Sequence, residues 1–181
     1  MKNKKELIKF VVELVAIVGV TTFVFRNLAI PVRVDGDSMY PTLHDEDTGL
    51  INATNVGEDD IERFDIVVLY SEQLDKRIVK RVIGLPGDTI EYIDDKLYVN
   101  GMYYEETFLD KQYIEEAKIS YNTTVFTKDF KVEVEEGKIF VLGDNRLRSK
   151  DSRALGSFSY DAIVGKKGVI LFPFTNMKWL D

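Results

Sequence analysis

The chain has no cysteine and a single histidine, His44, among its 181 residues. The first absence excludes thiol nucleophiles and disulfides, and the second leaves any Ser-His-Asp triad dependent on one imidazole. There is no Walker A loop, no GxGxxG, no His/Cys set at metal-ligand spacing and no basic patch interleaved with aromatics. Nothing in it therefore implies a cofactor, a metal or a nucleic-acid partner. The lack of cysteine does not fix the compartment. A cytosolic protein reads this way, and so does an exported bacterial domain that folds on its core alone. What is present suits one globular domain, or one with a modest insertion: 45% hydrophobic and 30% charged residues argue against disorder.

Compartment is signalled by residues 1–33. Lys2, Lys4, Lys5 and Lys9 precede an apolar run from Phe10 to Phe25 broken by one charge, Glu13. With Leu28, Ala29 and Ile30 beyond Arg26, the stretch approaches the ~20 residues of a spanning helix. Glu13 stands one turn from Lys9 and can pair with it near the headgroups, and Arg26 can snorkel outward. An amphipathic soluble helix fits less well, because apolar residues surround the axis. A cleaved leader lacks its small-x-small site after the apolar run. The reading is an uncleaved transmembrane anchor, with residues 1–30 as cytoplasmic tail and anchor and 31–181 as an extracytoplasmic domain. The lysines place the N-terminus in the cytoplasm. Residues 1–33 carry net +4 of a total of −7, so the remainder is −11. A domain that acidic cannot adhere to anionic lipid by its field. Bilayer contact must use apolar surface, for which Met39-Tyr40-Pro41 and Leu171-Phe172-Pro173-Phe174 are candidates, although the latter also reads as a buried final strand.

Beyond Ile30 the signals are mainly β. Short runs rich in Val, Ile and Tyr cover 30–34, 49–53, 65–70, 77–83, 89–93 and 97–99, with Asp94-Asp95-Lys96 and Asn100-Gly101 as hairpin turns. Further strands fit 125–127, 131–134, 138–142 and 169–174, and a short helix fits 105–118. Chemistry-bearing blocks lie at about 36–88 and 141–156. The stretch 93–136 between them carries none, and reads as an insertion decorating a β core.

Ser38, flanked by Gly36 and Pro41, sits on a turn, where an Oγ can be exposed and N–H groups left free for an oxyanion. A serine needs a base. If 77–83 is a strand, Lys80 shares a face with Ile78 and Val82, where desolvation favours its neutral form. A Ser-Lys dyad is a known variant of triad logic. The 42-residue separation means that only the fold can unite them. His44, leaving Ser38 through Pro41, reads as a bystander.

Four blocks in order after an anchor resemble type I signal peptidases, membrane-bound serine proteases that remove signal peptides from exported proteins. They are Asp35-Gly36-Asp37-Ser38-Met39-Tyr40-Pro41-Thr42-Leu43, Arg63-Phe64-Asp65-Ile66-Val67-Val68-Leu69, Lys80-Arg81-Val82-Ile83-Gly84-Leu85-Pro86-Gly87-Asp88, and Val141-Leu142-Gly143-Asp144-Asn145-Arg146 continuing to Ser149-Lys150-Asp151-Ser152-Arg153. The resemblance implies a strand-rich catalytic core with a smaller β insertion, Ser38 as nucleophile and Lys80 as general base. It also implies that Ser149 hydrogen-bonds the Lys80 ammonium and that Asp151 pairs with Arg153 and Arg81. Asp144 and Asn145 read as turn-holders. Gly36 matches the Gram-positive branch; the Gram-negative branch has there a serine whose hydroxyl helps the oxyanion hole. The implied partners are preprotein signal peptides and the lipid bilayer, and the implied state a monomer. Two other readings share the pattern. A self-cleaving repressor of the SOS type needs a DNA-binding domain where this chain has its apolar run, and a non-catalytic membrane-tethered paralogue would be expected to lack Ser38 or Lys80.

Overall fold

A computed structural model of the chain describes residues 2–27, 29–53 and 56–180, with side chains of the first helix described at 4–23. That helix, α1 (Lys2–Asn27), precedes β1 (Ala29–Arg33), β2 (Thr48–Asn52), β3 (Ile66–Ser71) and β4 (Lys76–Gly84). Next come β5 (Thr89–Ile93), β6 (Lys96–Val99), β7 (Met102–Tyr104), α2 (Lys111–Ser120) and β8 (Phe130–Glu133). The chain continues through β9 (Lys138–Leu142), a single turn α3 (Ser152–Leu155), β10 (Phe158–Ser159), β11 (Ile163–Phe172) and β12 (Lys178–Leu180).

The strands make two antiparallel sheets. The larger runs β1-β2-β11-β3-β4-β9-β10 with β12 on β11, and the smaller runs β7-β6-β5-β8. The strand-rich, mainly β architecture read from the sequence is the one the chain adopts. β3 lies mid-sheet and is buried from Ile66 through Leu69, as its unbroken apolar run requires. β4 pairs with it in register, Val67 opposite Lys80 and Ile66 opposite Arg81. Ile78 and Val82, on the Lys80 face, join Val67, Leu69, Ile139 and Val141 in one core cluster, while Ile83 turns into the core beneath the smaller sheet. Both predicted hairpin turns form, with Asp94, Asp95, Asn100 and Gly101 at positive φ.

Some expectations fail for identifiable reasons. Residues 125–127 form no strand, because the Asp95 carboxylate accepts the Phe126 and Thr127 N–H groups at 2.7 Å each and so removes them from any ladder. The helix expected from 105 begins at Lys111, where Asp110 caps it by accepting from the Tyr113 N–H at 2.9 Å. The last long strand spans Ile163–Phe172 rather than 169–174, and stops where Pro173 lacks a donor.

The expected transmembrane anchor is not met in the described helix. Among the described residues no helix is long and apolar enough to cross a membrane. The apolar stretch 6–23 still holds Glu6, Lys9 and Glu13. Lys9 and Glu13 do approach each other, at 3.7 Å. Leu28 and the Lys2, Phe25 and Arg26 side chains, on which the anchor reading also drew, lie outside the described residues.

Candidate active site

Ser38 stands on the turn that leaves β1. The turn closes on itself through Tyr40 N–H to Asp37 O at 3.1 Å and Leu43 N–H to Met39 O at 2.9 Å. Gly36 takes φ +84°, a left-handed geometry that costs a side-chain-bearing residue energy, and its N–H donates to Asp45 at 2.8 Å. Met39 and Leu43 pin the turn to the core, each 1% exposed. That burial corrects one expectation: Met39 cannot touch a bilayer, although it lines the cleft beside Ser38. Tyr40 and Pro41 remain partly exposed. The Ser38 N–H donates to no acceptor among the described residues.

β4 carries Lys80 to the same point. Its Nζ lies 2.7 Å from Ser38 Oγ and 2.8 Å from the Val79 carbonyl oxygen, and the residue is 2% exposed. Among the described residues no carboxylate hydrogen-bonds it. Burial lowers its pKa to about 8, against an upward pull from Asp151 and Asp144. The two groups the sequence placed 42 positions apart are in contact. They open on a cleft of about 330 Å³ between the Ser38 turn and residues 76–80. β9 pairs with β4 only from Arg81 onward, so among the described residues no strand pairs with the 76–80 edge facing the cleft.

Arg81, on the opposite face, is fully engaged. Its Nε and Nη2 donate to the two oxygens of Asp144 at 2.9 and 2.7 Å, its Nη1 donates to Phe64 O at 2.8 Å, and the guanidinium lies 3.9 Å over the Phe108 ring. Asp144 also accepts the Thr42 hydroxyl. The expected Asp151–Arg81 pair is therefore replaced by Asp144–Arg81. Period-two alternation points Arg81 away from Lys80, and Asp144, fully buried, waits on that side. Asp144 is more than a turn-holder, because it ties the Ser38 turn, β4 and the 143–153 loop together.

In that loop Asp151 pairs with Arg153 as expected, accepting from Nε and Nη2 at 2.8 Å each and from the Gly143 N–H at 3.0 Å. Burial works against its charge, but the Arg153 contacts prevail and hold its carboxyl below the usual range. Ser149 does not bond Lys80 as expected. Its buried Oγ makes no hydrogen bond, and its place beside Asp151 favours that carboxylate's ionised form. Gly143 lets the loop approach: a Cβ there would meet Ser149 Oγ at 2.2 Å and Ser38 O at 2.3 Å.

The sequence reading missed a further anchor. Arg146, buried in the loop, donates to Glu106 at 2.5 and 3.3 Å, Tyr92 Oη at 2.8 Å, Thr127 Oγ1 at 3.3 Å and Gly143 O at 3.0 Å. Burial opposes its charge, yet the Glu106 carboxylate drives its pKa upward. Burial pushes the Tyr92 phenol up. These contacts fasten the loop to the smaller sheet. Arg146 was visible within a block, but Glu106, 40 positions away, carries no motif. His44 lies outside the dyad, 3.8 Å from Asp47 and 3.3 Å from Asn176. Among the described residues no cluster of three His, Asp or Glu side chains can hold a metal ion.

Comparison with known proteins matches this geometry to one family. A family model described as "Signal peptidase, peptidase S26" matches residues 5–172. The chain is 38% identical over 180 residues to signal peptidase I U of Bacillus subtilis, covering 98% of this chain and 95% of the relative. It is 36% identical over 183 residues to signal peptidase IB of Staphylococcus aureus, covering 97% and 95%. The crystal structure of a signal peptidase I from Enterococcus faecalis V583 superposes with a TM-score of 0.52 at 40% identity, over 59% of this chain and 95% of that one.

Proposed function

Since the chain belongs to the signal peptidase family S26 and is a hydrolase of the signal peptidase I type, we propose that it cleaves exported preproteins by a Ser38–Lys80 dyad. The observation that carries this reading is the part-buried 2.7 Å contact between Lys80 Nζ and Ser38 Oγ, with no carboxylate among the described residues bonded to the amine.

In the neutral form Lys80 Nζ takes the Ser38 proton as Oγ forms a bond to the scissile carbonyl carbon. The oxyanion draws on the uncommitted Ser38 N–H, since Gly36 offers no side chain. Collapse breaks the C–N bond, and the Lys80 ammonium returns its proton to the departing amine. Water, deprotonated by Lys80 in turn, then releases the acyl group from Ser38. Asp144, Asp151, Arg81 and Arg153 brace the strand and loop without touching substrate. The unpaired 76–80 edge of β4 suits an extended peptide added as a strand, whose small side chains enter the cleft.

The catalytic domain begins near residue 31, and the smaller sheet with α2 is inserted in it. Membrane attachment is supported by α1, whose Leu7, Phe10, Val15, Ile17, Val20 and Phe23 stand half or more exposed around the axis. Phe172, Phe174, Met177 and Trp179, 54–77% exposed, form a second apolar surface suited to a bilayer.

The test is to incubate the detergent-solubilised protein with a model preprotein and sequence the new N-terminus. Cleavage after a small-x-small pattern, abolished by Ser38→Ala, is the expected result. Cleavage surviving Ser38→Ala removes the dyad.

A further inference from the structure

A peptide crossing Ser38 must have room on both sides of it, and a second groove, lined by no β4 residue, meets the nucleophile turn. It holds about 320 Å³ between that turn, the 143–153 loop and α2. Asp37 and Arg148 line both this groove and the dyad cleft. The two side chains approach to 3.5 Å where the spaces join. Asn145 connects the groove to the chemistry: its N–H donates to Ser38 O at 3.1 Å, while its buried side-chain oxygen has no hydrogen-bond partner and the residue lines the groove.

We propose that this groove is the leaving-side subsite, which holds the first residues of the mature chain beyond the scissile bond. The proposal rests on the dyad reading and adds the half of the substrate that the dyad cleft leaves unplaced. Its walls state what fits. Tyr40 and Tyr113 meet edge to face at 5.2 Å, and Tyr121, 46% exposed, lies at the C-terminal end of α2. Three phenol rings favour an apolar or aromatic side chain among residues +2 to +4. Asp37 and Glu116 disfavour an acidic one, and Arg148, held by Asp37, compensates only one of the two carboxylates. The Asn145 oxygen is positioned to accept a peptide N–H, which would relieve its unpaired state. Specificity on this side is thus set by the inserted α2, a segment outside the chemical blocks.

The experiment compares two substrates with one signal sequence. One continues five residues past the cleavage point; the other ends there in a fluorogenic aryl amide. The quantity read is the ratio of their kcat/KM values. Tyr121→Ala should lower that ratio about five- to tenfold, the loss of one aromatic contact. The exposed Glu116→Arg provides a second, fold-neutral variant. It should raise cleavage of long peptides with Asp at +2 to +4 about fivefold relative to peptides with Leu there. A ratio unchanged by Tyr121→Ala, together with Glu116→Arg that alters Asp and Leu peptides equally, overturns the subsite. Failure of the dyad looks different: it shows as cleavage of both substrates by Ser38→Ala.

Discussion

Two buried cations, Lys80 and Arg146, are treated in opposite ways. Each is almost completely withdrawn from water, 2% and 3% exposed. Arg146 meets a carboxylate, a phenol and a hydroxyl, and its charge is locked in place. Lys80 meets a serine hydroxyl and one carbonyl, and its proton is held loosely, with a pKa of about 8. Arginine in the joint between sheets keeps its charge under any condition the fold survives. Lysine in the dyad can give its proton up. Burial works against the charge of both, and only at Arg146 does a bonded carboxylate among the described residues reverse it.

Lys80→Arg removes this contrast most severely. Arginine keeps charge and reach but cannot deprotonate. Cleavage of a preprotein should fall by ~10²–10⁴-fold, with circular dichroism and thermal unfolding showing a folded variant. A loss of only a few-fold would make Lys80 a structural cation and leave Ser38 without a base.

Glu106→Gln attacks the other cation. It strands the Arg146 charge in the interior, and breaking a buried pair in this way costs ~3–5 kcal/mol, read as a shift in the urea midpoint. The double variant Glu106→Leu with Arg146→Met, which removes both charges, should recover most of the loss. If it does not, Arg146 contributes through hydrogen bonds to Tyr92 and Gly143 rather than through its pairing.

Lys80→Met tests the cost of the unpaired lysine from the stability side. An ordinary lysine titrates at 10.5 and this one at about 8, so the folded state loses its proton while the unfolded chain still holds one. Stability therefore rises with pH between those values, and the full cost is present below about 8. That cost is on the order of 3 kcal/mol, so the inactive Lys80→Met protein should be the more stable at pH 7. Its advantage should shrink steadily from pH 8 to 10.5. The rate of wild-type cleavage should follow the same group and fall as pH drops below about 8. A pH-independent stability difference would mean that Lys80 is neutral throughout, or never desolvated.

How much of this was legible in the chain depended on whether local pattern or distant partner decided the outcome. β4 could be read because Ile78, Lys80 and Val82 alternate, and that alternation aims the lysine inward before any contact is known. The turns at Asp94-Asp95 and Asn100-Gly101 were legible for the same local reason. Residues 125–127 were not, since their fate depends on the Asp95 carboxylate 31 positions away. The brace of Arg81 was misassigned between two aspartates of one loop, because only the folded loop shows that Asp144 lies on the Arg81 side. Glu106 gave no signal at all: a glutamate in a charged stretch looks solvated until Arg146 is seen beside it.

His44→Ala is the smallest expected effect and the one that guards the assignment of the base. As the one histidine, His44 is the natural competitor for Lys80. Its Nδ1 faces Asp47 and the Asn176 amide, and its ring meets Tyr40 edge-on at 5.0 Å. These contacts tie the end of the Ser38 turn to the β11–β12 connection, whereas it is Lys80 Nζ that lies 2.7 Å from Ser38 Oγ. The Asp47 carboxylate keeps its other donors, the His44 N–H and Asn176 Nδ2, when the ring is removed. The loss should therefore amount to one weak contact, about 1 kcal/mol or less of stability. Turnover should change less than twofold, and the pH profile should keep its inflection near 8. A profile that lost that inflection in His44→Ala would transfer the titrating group from Lys80 to the imidazole, and the contrast between the two buried cations would lose its catalytic meaning.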